Sequence, residues 1–472
     1  MSRVGPGWCA RGCAVARSVE TWIPGVLSRA LLRSLCARTA NMNVEERSAF
    51  VLTAAKALYV NGQSTGHTVA ATERLADVLG LRTTLLLRWS EIVLQVDSAH
   101  GALIRLEGAT PTGIDMNRVA SVMRAIDELA AGHLTPEEAG AEIETASHAP
   151  PAPTWLFAIA AAAGAAALSV IYGVYHLAAA ALIAGSGGMG AVLRRRLAHL
   201  SDNAFLQPLC AGLLAGVVGA LAVRYQLSSS LRLVALCPCM ILVPGPHLLN
   251  GGIDLIHGRI HLGASRILFA ILVVVAIATG LLCGSALLGS DIPVEPAGRG
   301  VPLWQDAIAA GVAVAAFSVF FSTPFRLLPW PVVVGALAHA LRWCVMTGLG
   351  FGPVGGAFVA CLTVGLILTP VAKHWQLPFA AIGYSSVVSM MPGVYLFRAA
   401  SGAAQMTTDG GASAGLVSGT LSDGVLAAAI VLAMCVGLLL PNLVLTDLGE
   451  RIARRKSGYS ADLTIQRGRG GS

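Results

Sequence analysis

Charge is what this chain lacks. Only 12% of its 472 residues are Asp, Glu, Lys or Arg, against 55% hydrophobic. A soluble domain carries about 25% charged residues. The deficit excludes an ordinary soluble protein and points to a lipid bilayer as solvent. Regular cysteine spacing is absent too. Seven of the ten cysteines lie in apolar runs, where they act as small hydrophobes rather than as a disulfide framework. No P-loop, phosphorylation motif or nucleophile elbow occurs, so nothing signals a nucleotide-driven pump. No cofactor and no metal are expected. Cys237-Pro238-Cys239 could pass a soft metal ion only beside such machinery. Without it, the triplet reads as two small apolar residues around a kink.

The charge that is present is uneven. From about Glu45 to Glu144 acidic and basic residues are common, and from Trp155 to Leu445 they are sparse. This predicts a small soluble α+β domain over 43–150, membrane halves over 154–290 and 302–447, and a basic tail over 448–472. Residues 1–41 are rich in Arg and free of Lys. They lack the long uncharged core of a secretory signal. They read as a disordered leader or a start placed too early, with Met42 as the first residue. The net charge of +7 comes largely from this leader and the closing "RIARRK", so it implies no nucleic acid.

In the N-terminal part, "EERSAFVLTAAKALYVNG" and "GHTVAATERLADVLG" read as helices, the second closed by Gly80. "TTLLLRWSEIVLQV" and "GALIRL" suit two or three strands. Two helices follow, and the last has Thr135 and Glu138 at capping-box spacing. Ser64, Thr65, His67 and Glu73 lie close enough in sequence to suggest a hydrolase, but a polar turn entering a helix accounts for them as well.

A span needs about 20 apolar residues. Ten candidates occur, at 154–172, 174–192, 204–223, 231–249, 264–288, 304–322, 330–348, 353–371, 378–397 and 425–445. Loop charge sets orientation. With the N-terminus inside, the inner loops and tail hold Arg194, Arg195, Arg196, Arg259, Arg266, Arg326, Lys373, Arg451, Arg454, Arg455 and Lys456. The outer loops hold Arg224, Arg232, Arg299 and Arg398. Eleven against four predicts both termini on the inner, cytoplasmic side.

The spans repeat. "ILVPGPHLLNGGIDLIHG" and "SVVSMMPGVYLFRAASGAAQ" each break at Pro-Gly, and Pro244 and Pro392 stand 148 positions apart. At that offset His247 falls on Tyr395, Asn250 on Arg398 and Asp254 on Gly402. Steps of three and four residues put each set on one helical face. Five spans per half is odd, so the second half must enter inverted. Inverted repeats are a secondary-transporter architecture with the site between the repeats. Each Pro removes an N–H, which predicts an unpartnered carbonyl at Met240 and at Val388. Gly245 and Gly393 permit close approach, and each restarting helix offers N–H groups to a carboxylate. Pro244, Gly245, His247, Asn250, Pro392, Gly393, Tyr395 and Arg398 are therefore candidate substrate-binding residues. Asp254, ionisable at membrane depth, is the candidate for proton coupling. His339, Arg342, Ser385 and Ser386 are candidates to line a cavity, with a helix-packing role equally open to them. The alternatives are a passive channel on the same repeat and a membrane-tethered hydrolase acting through residues 43–148.

With these motifs the chain resembles the threonine/serine exporter family. "NGQSTGHTVAATERLADVLGL", "LVPGPHLLNGGIDLIHGRIHLGASRIL" and "MMPGVYLFRA" carry the resemblance. It implies a ten-span exporter with a cytoplasmic N-terminal domain, moving small hydroxy amino acids outward at the expense of the proton gradient. Some members are split at the half boundary, and some of those handle dicarboxylates such as succinate. The partners are then a small amino or dicarboxylic acid, protons and lipid. The sequence leaves homo-oligomerisation open, and the resemblance carries over no site residue.

Overall fold

The computed structural model describes residues 42–98, 101–174, 176–225, 231–289, 300–408 and 413–469. The predicted leader and Arg299 lie outside them.

The N-terminal part is built from local signals. Helix α1 (Val44–Val60) is closed at its start by Asn43 and Glu46 in a reciprocal capping box, which satisfies two otherwise orphaned N–H groups. Helix α2 (Thr65–Val78) ends before Gly80, whose φ of +69° is the left-handed value a glycine adopts without strain. Strands β1 (Arg82–Leu87), β2 (Glu91–Ser98) and β3 (Gly101–Gly108) form an antiparallel sheet in sequence order. Leu85 pairs with Leu94, and Leu94 with Arg105. Alternation along β2 buries Ile92, Leu94 and Val96 against the helices. Helices α3 (Met116–Ala130) and α4 (Pro136–His148) complete the layer, α4 with the expected Thr135–Glu138 box.

Among the described residues, eight further helices are long and apolar enough to cross a membrane. They are α5 (Thr154–Ile171), α6 (Leu177–Leu197), α7 (Leu206–Arg224), α10 (Ile260–Ala286), α11 (Leu303–Phe320), α12 (Pro329–Gly348), α13 (Pro353–His374) and α16 (Ala414–Arg469), the last apolar to Leu445. Two expected spans are not straight helices. The fourth consists of α8 (Leu231–Met240) and α9 (Gly245–Ile256), bent by 59°. The ninth consists of α14 (Phe379–Val387), a short 3-10 turn and α15 (Gly393–Thr408), bent by 55°. Both run past the expected ends at 249 and 397. Counting each bent pair as one crossing makes ten.

The breaks have one design. Val243 N–H donates to the Met240 carbonyl, and Met391 N–H to the Val388 carbonyl, at 3.3 and 3.1 Å. Gly245 N–H then donates to Val243 and Gly393 N–H to Met391, both at 2.8 Å. The two carbonyls expected to be orphaned are thus satisfied by tightening the turn before each proline. No water or substrate is needed there, which corrects that expectation.

Other features correspond between the two sets of helices. Helices α5 and α11 each run 18 residues. Each is followed by a left-handed residue, Gly173 and Ser322. Each closes with the same bond, Val174 to Ser169 and Thr323 to Ser318. Helix α7 packs on α10 as α13 packs on α16. In the first pair small residues bring backbones together. A Cβ on Gly216 would collide with the Leu281 carbonyl, and one on Gly280 with the Leu209 carbonyl.

Candidate functional site

The two breaks cross. A Cβ added to Gly245 would lie 3.1 Å from Val388 Cγ2 and 3.3 Å from Met391. A Cβ added to Gly393 would lie 3.0 Å from Met240 Cγ. Each glycine therefore gives the other break room to approach. Pro244, Gly245 and Gly393 border no described cavity, whereas Pro392 does. The expected carboxylate seat between the two glycines is occupied by Val243, Val388, Met240 and Met391.

Space opens on either side of the crossing. The larger cavity, of 660 Å³, lies between the N-terminal unit and the membrane helices; Ser64, His67, Arg259, Lys373, Tyr384 and Asn442 are among its walls. The smaller, of 230 Å³, is walled by Tyr172, Asp306, Arg342, Ser389, Pro392 and Tyr395 among others. Helix α13 borders both, through Ala357 at the smaller and Lys373 at the larger. At 1.5 Å per residue those positions are about 24 Å apart. The cavities therefore sit toward opposite ends of the bundle.

The stripe on α9 faces the N-terminal unit, not an open path. Asn250 Nδ2 donates to the Gly62 carbonyl at 3.3 Å, and Tyr384 O–H donates to Asn250 Oδ1. Thr65 O–H donates to Asp254 Oδ2 at 2.9 Å. His247 lies edge-on to Phe269, 5.0 Å between centroids, and bonds with the Thr112 backbone. Asp254 is 1% exposed and flanked by two guanidinium groups, Arg259 at 3.3 Å and Arg266 at 3.5 Å. A buried carboxylate requires such compensation. Arg266, counted from sequence as an inner-loop charge, is instead buried inside α10. Its guanidinium stands over the Tyr59 ring, 5.4 Å from the centroid. Burial pushes the Tyr59 hydroxyl up to about 12, opposed by Arg266.

The second-half candidates divide. Arg398 forms an ion pair with Asp423 at 3.1 Å. His339 Nδ1 meets Asp306 Oδ2 at 2.7 Å. Ser385 and Ser386 donate back to Ala381 and Ile382, at 3.1 and 2.7 Å. Both serines are fully buried and border no described cavity, which corrects the cavity expectation for them. Arg342 and Tyr395 do line the smaller one. Asp306 and Asp423 were missed from sequence. Asp306 at a helix start and Asp423 within the last helix each give a weak signal, because their partners lie elsewhere in the chain.

Ser64 Oγ and His67 Nδ1 are 2.7 Å apart, the one feature favouring a hydrolase. His67 is exposed toward the larger cavity, and its ring stacks on Phe379 with centroids 6.5 Å apart. Burial, then the Lys373 ammonium, lowers its affinity for a proton. A hydrolytic dyad would instead need a carboxylate there to orient and charge the imidazole. Glu73 is exposed on the surface of α2.

Residues 49–288 match a family model described as a threonine/serine exporter. Residues 306–444 match a second, described as Threonine/Serine exporter, ThrE. The chain belongs to the threonine/serine exporter family. The boundary between the two matches falls between α10 and α11, where the corresponding sets of helices divide. Membership accords with the apolar helices and makes this a multi-pass membrane protein of an amino acid export family. No solved structure matches this family member.

Proposed function

We propose that the chain is a secondary exporter of threonine and serine, driven by the proton-motive force across a bacterial inner membrane. One observation carries this reading. Two crossed helix breaks separate two cavities at opposite ends of one bundle, and this is the geometry alternating access requires. In the shape described here the crossing is shut. Transport needs the two five-span sets to move past each other so that Gly245 and Gly393 face first one cavity, then the other. The common bond pattern at the breaks supports reading the sets as inverted repeats, since five crossings reverse the chain's direction.

The larger cavity is the cytoplasmic mouth in this reading, with the N-terminal unit beside it. Arg195 supports that orientation: its Nη2 donates to the Ala152 carbonyl at 2.9 Å, near the unit's end. Asp254 is the residue that couples transport to the proton gradient, and movement of α9 parts it from Arg259 and Arg266. His247 and Asn250 then exchange their partners in the N-terminal unit for substrate.

The test is efflux from dipeptide-loaded cells that lack their own exporters, with and without this protein. Threonine and serine should appear in the medium, and an uncoupler should abolish their export. Efflux of succinate alone would keep the architecture and make the cargo a dicarboxylate. Arg259 and Lys373 on the larger cavity's wall favour that second reading. Efflux unaffected by any gradient would indicate a channel.

A further inference from the structure

The smaller cavity has unspent hydrogen-bonding capacity. Ser389 is 3% exposed, lines the space, and its hydroxyl has no partner among the described residues. Arg342 Nε is likewise buried without an acceptor there. Leaving such groups unsatisfied costs about 1–3 kcal/mol each, more for a charged one. Their persistence calls for a ligand or water to satisfy them. The volume of 230 Å³ far exceeds the roughly 30 Å³ share of one water.

The charges on the wall restrict the ligand. Asp306 on α11 and Arg342 on α12 both face this space. Among the described lining residues Arg342 is the one cation, so a dicarboxylate would have a single charge partner. An α-amino acid carries one carboxylate and one ammonium on the same carbon, and needs one partner of each sign. Apolar Met390, Met391 and Ile430 complete the wall and strengthen those contacts by excluding water.

We propose that this cavity binds one α-amino acid zwitterion. Arg342 holds its carboxylate, Asp306 its ammonium, and Ser389 the side-chain hydroxyl of a serine or threonine. The assignment rests on the exporter reading and deepens it by adding a substrate station, distinct from His247 and Asn250, on the side away from the N-terminal unit. Asp306 keeps His339 as its neighbour, which leaves the carboxylate oriented toward the ligand.

The experiment is equilibrium binding of labelled threonine to the full-length protein in lipid nanodiscs, alongside proteoliposome transport. Threonine amide, a deaminated dihydroxy acid and 2-aminobutyrate serve as competitors. Arg342→Gln should weaken threonine binding at least tenfold and erase the preference over the amide. Asp306→Asn should erase the preference over the deaminated acid, and Ser389→Ala that over 2-aminobutyrate. Loss of packing alone would weaken all ligands together and move none of these preferences. Should the charge variants fail to insert, Thr347→Cys on the cavity wall gives the reading, in a background lacking the exposed Cys283 and Cys344. Saturating threonine should slow its modification by an impermeant thiol reagent several-fold. An unchanged rate, or protection by succinate and not by threonine, would overturn the proposal. If the wild type transports no amino acid, the exporter reading itself fails. If it transports threonine while the variants keep every preference, only this site is wrong.

Discussion

The Thr65 hydroxyl donates to Asp254 Oδ2 across 2.9 Å, joining residues 189 positions apart. One belongs to the first turn of α2 and the other to the segment after the first helix break. The contact fastens the N-terminal unit to the membrane bundle at a buried charge. Thr65→Val keeps the shape and removes the donor. It should cost about 1.5–3 kcal/mol, the usual range for a bond to a charged group. Thermal unfolding of the detergent-solubilised protein, compared with wild type, reads the loss.

Asp254 should show two separable effects. Asp254→Asn leaves Arg266, itself 2% exposed, without its counter-charge. Removing one partner of a buried pair costs about 3–5 kcal/mol, so this variant should express poorly. Adding Arg266→Gln should recover much of the stability. If Asp254 carries the proton, the stable double variant still fails at gradient-driven efflux while exchanging labelled threonine. Driven efflux at the wild-type rate would remove Asp254 from the coupling path.

Glycines at the crossing and glycines at the helix seam should fail differently. Gly245→Leu presses on the side chains of Val388 and Met391, and Gly393→Leu on those of Met240 and Val243. They should insert normally and lose most transport, and the alanine variants should keep more of it. At Gly216 and Gly280 the obstruction is backbone carbonyl, which cannot swing aside. Leucine there should prevent assembly of α7 on α10. Surface expression measured beside efflux separates the two classes.

Acid should loosen the N-terminal unit. Burial and Lys373 hold His67 below its ordinary 6.5, so the unfolded chain binds this proton more readily than the folded one. The contribution of neutral His67 is present above about pH 6.5 and declines as pH falls below that value. Unfolding midpoints taken from pH 7.5 down to 5.5 should drop more steeply in wild type than in His67→Gln. Equal slopes would count against it.

Much of the architecture was legible because it rests on local signals. Runs of apolar residues located seven of the crossings within a few positions, whereas the two broken spans and the last one extend seven to eleven residues beyond their expected bounds; Thr135 with Glu138 announced the start of α4. Pro244-Gly245 and Pro392-Gly393 marked the bends because a missing N–H is a property of the residue itself. The site was harder to see, since its geometry is made by pairs far apart in the chain. Nothing near Asp254 reveals that Thr65 and Tyr59 will cover it. Arg266 looked like a loop charge because its helix begins at Ile260, only six residues before it, and a charge count cannot tell a mouth from an interior. Asp306 acquires meaning only once α12 brings His339 and Arg342 beside it.

The N-terminal unit also holds the other half of the bundle. Met116 N–H donates to the Phe321 carbonyl at 2.8 Å, and His67 stacks on Phe379 with centroids 6.5 Å apart. Thr65, Gly62 and Thr112 meanwhile grip α9. A body bolted to both leaves of a hinge fixes the angle between them. If the proposed exporter reading holds, the leaves swing only when one set of bolts lets go, so each turnover would begin or end with part of this small unit coming loose.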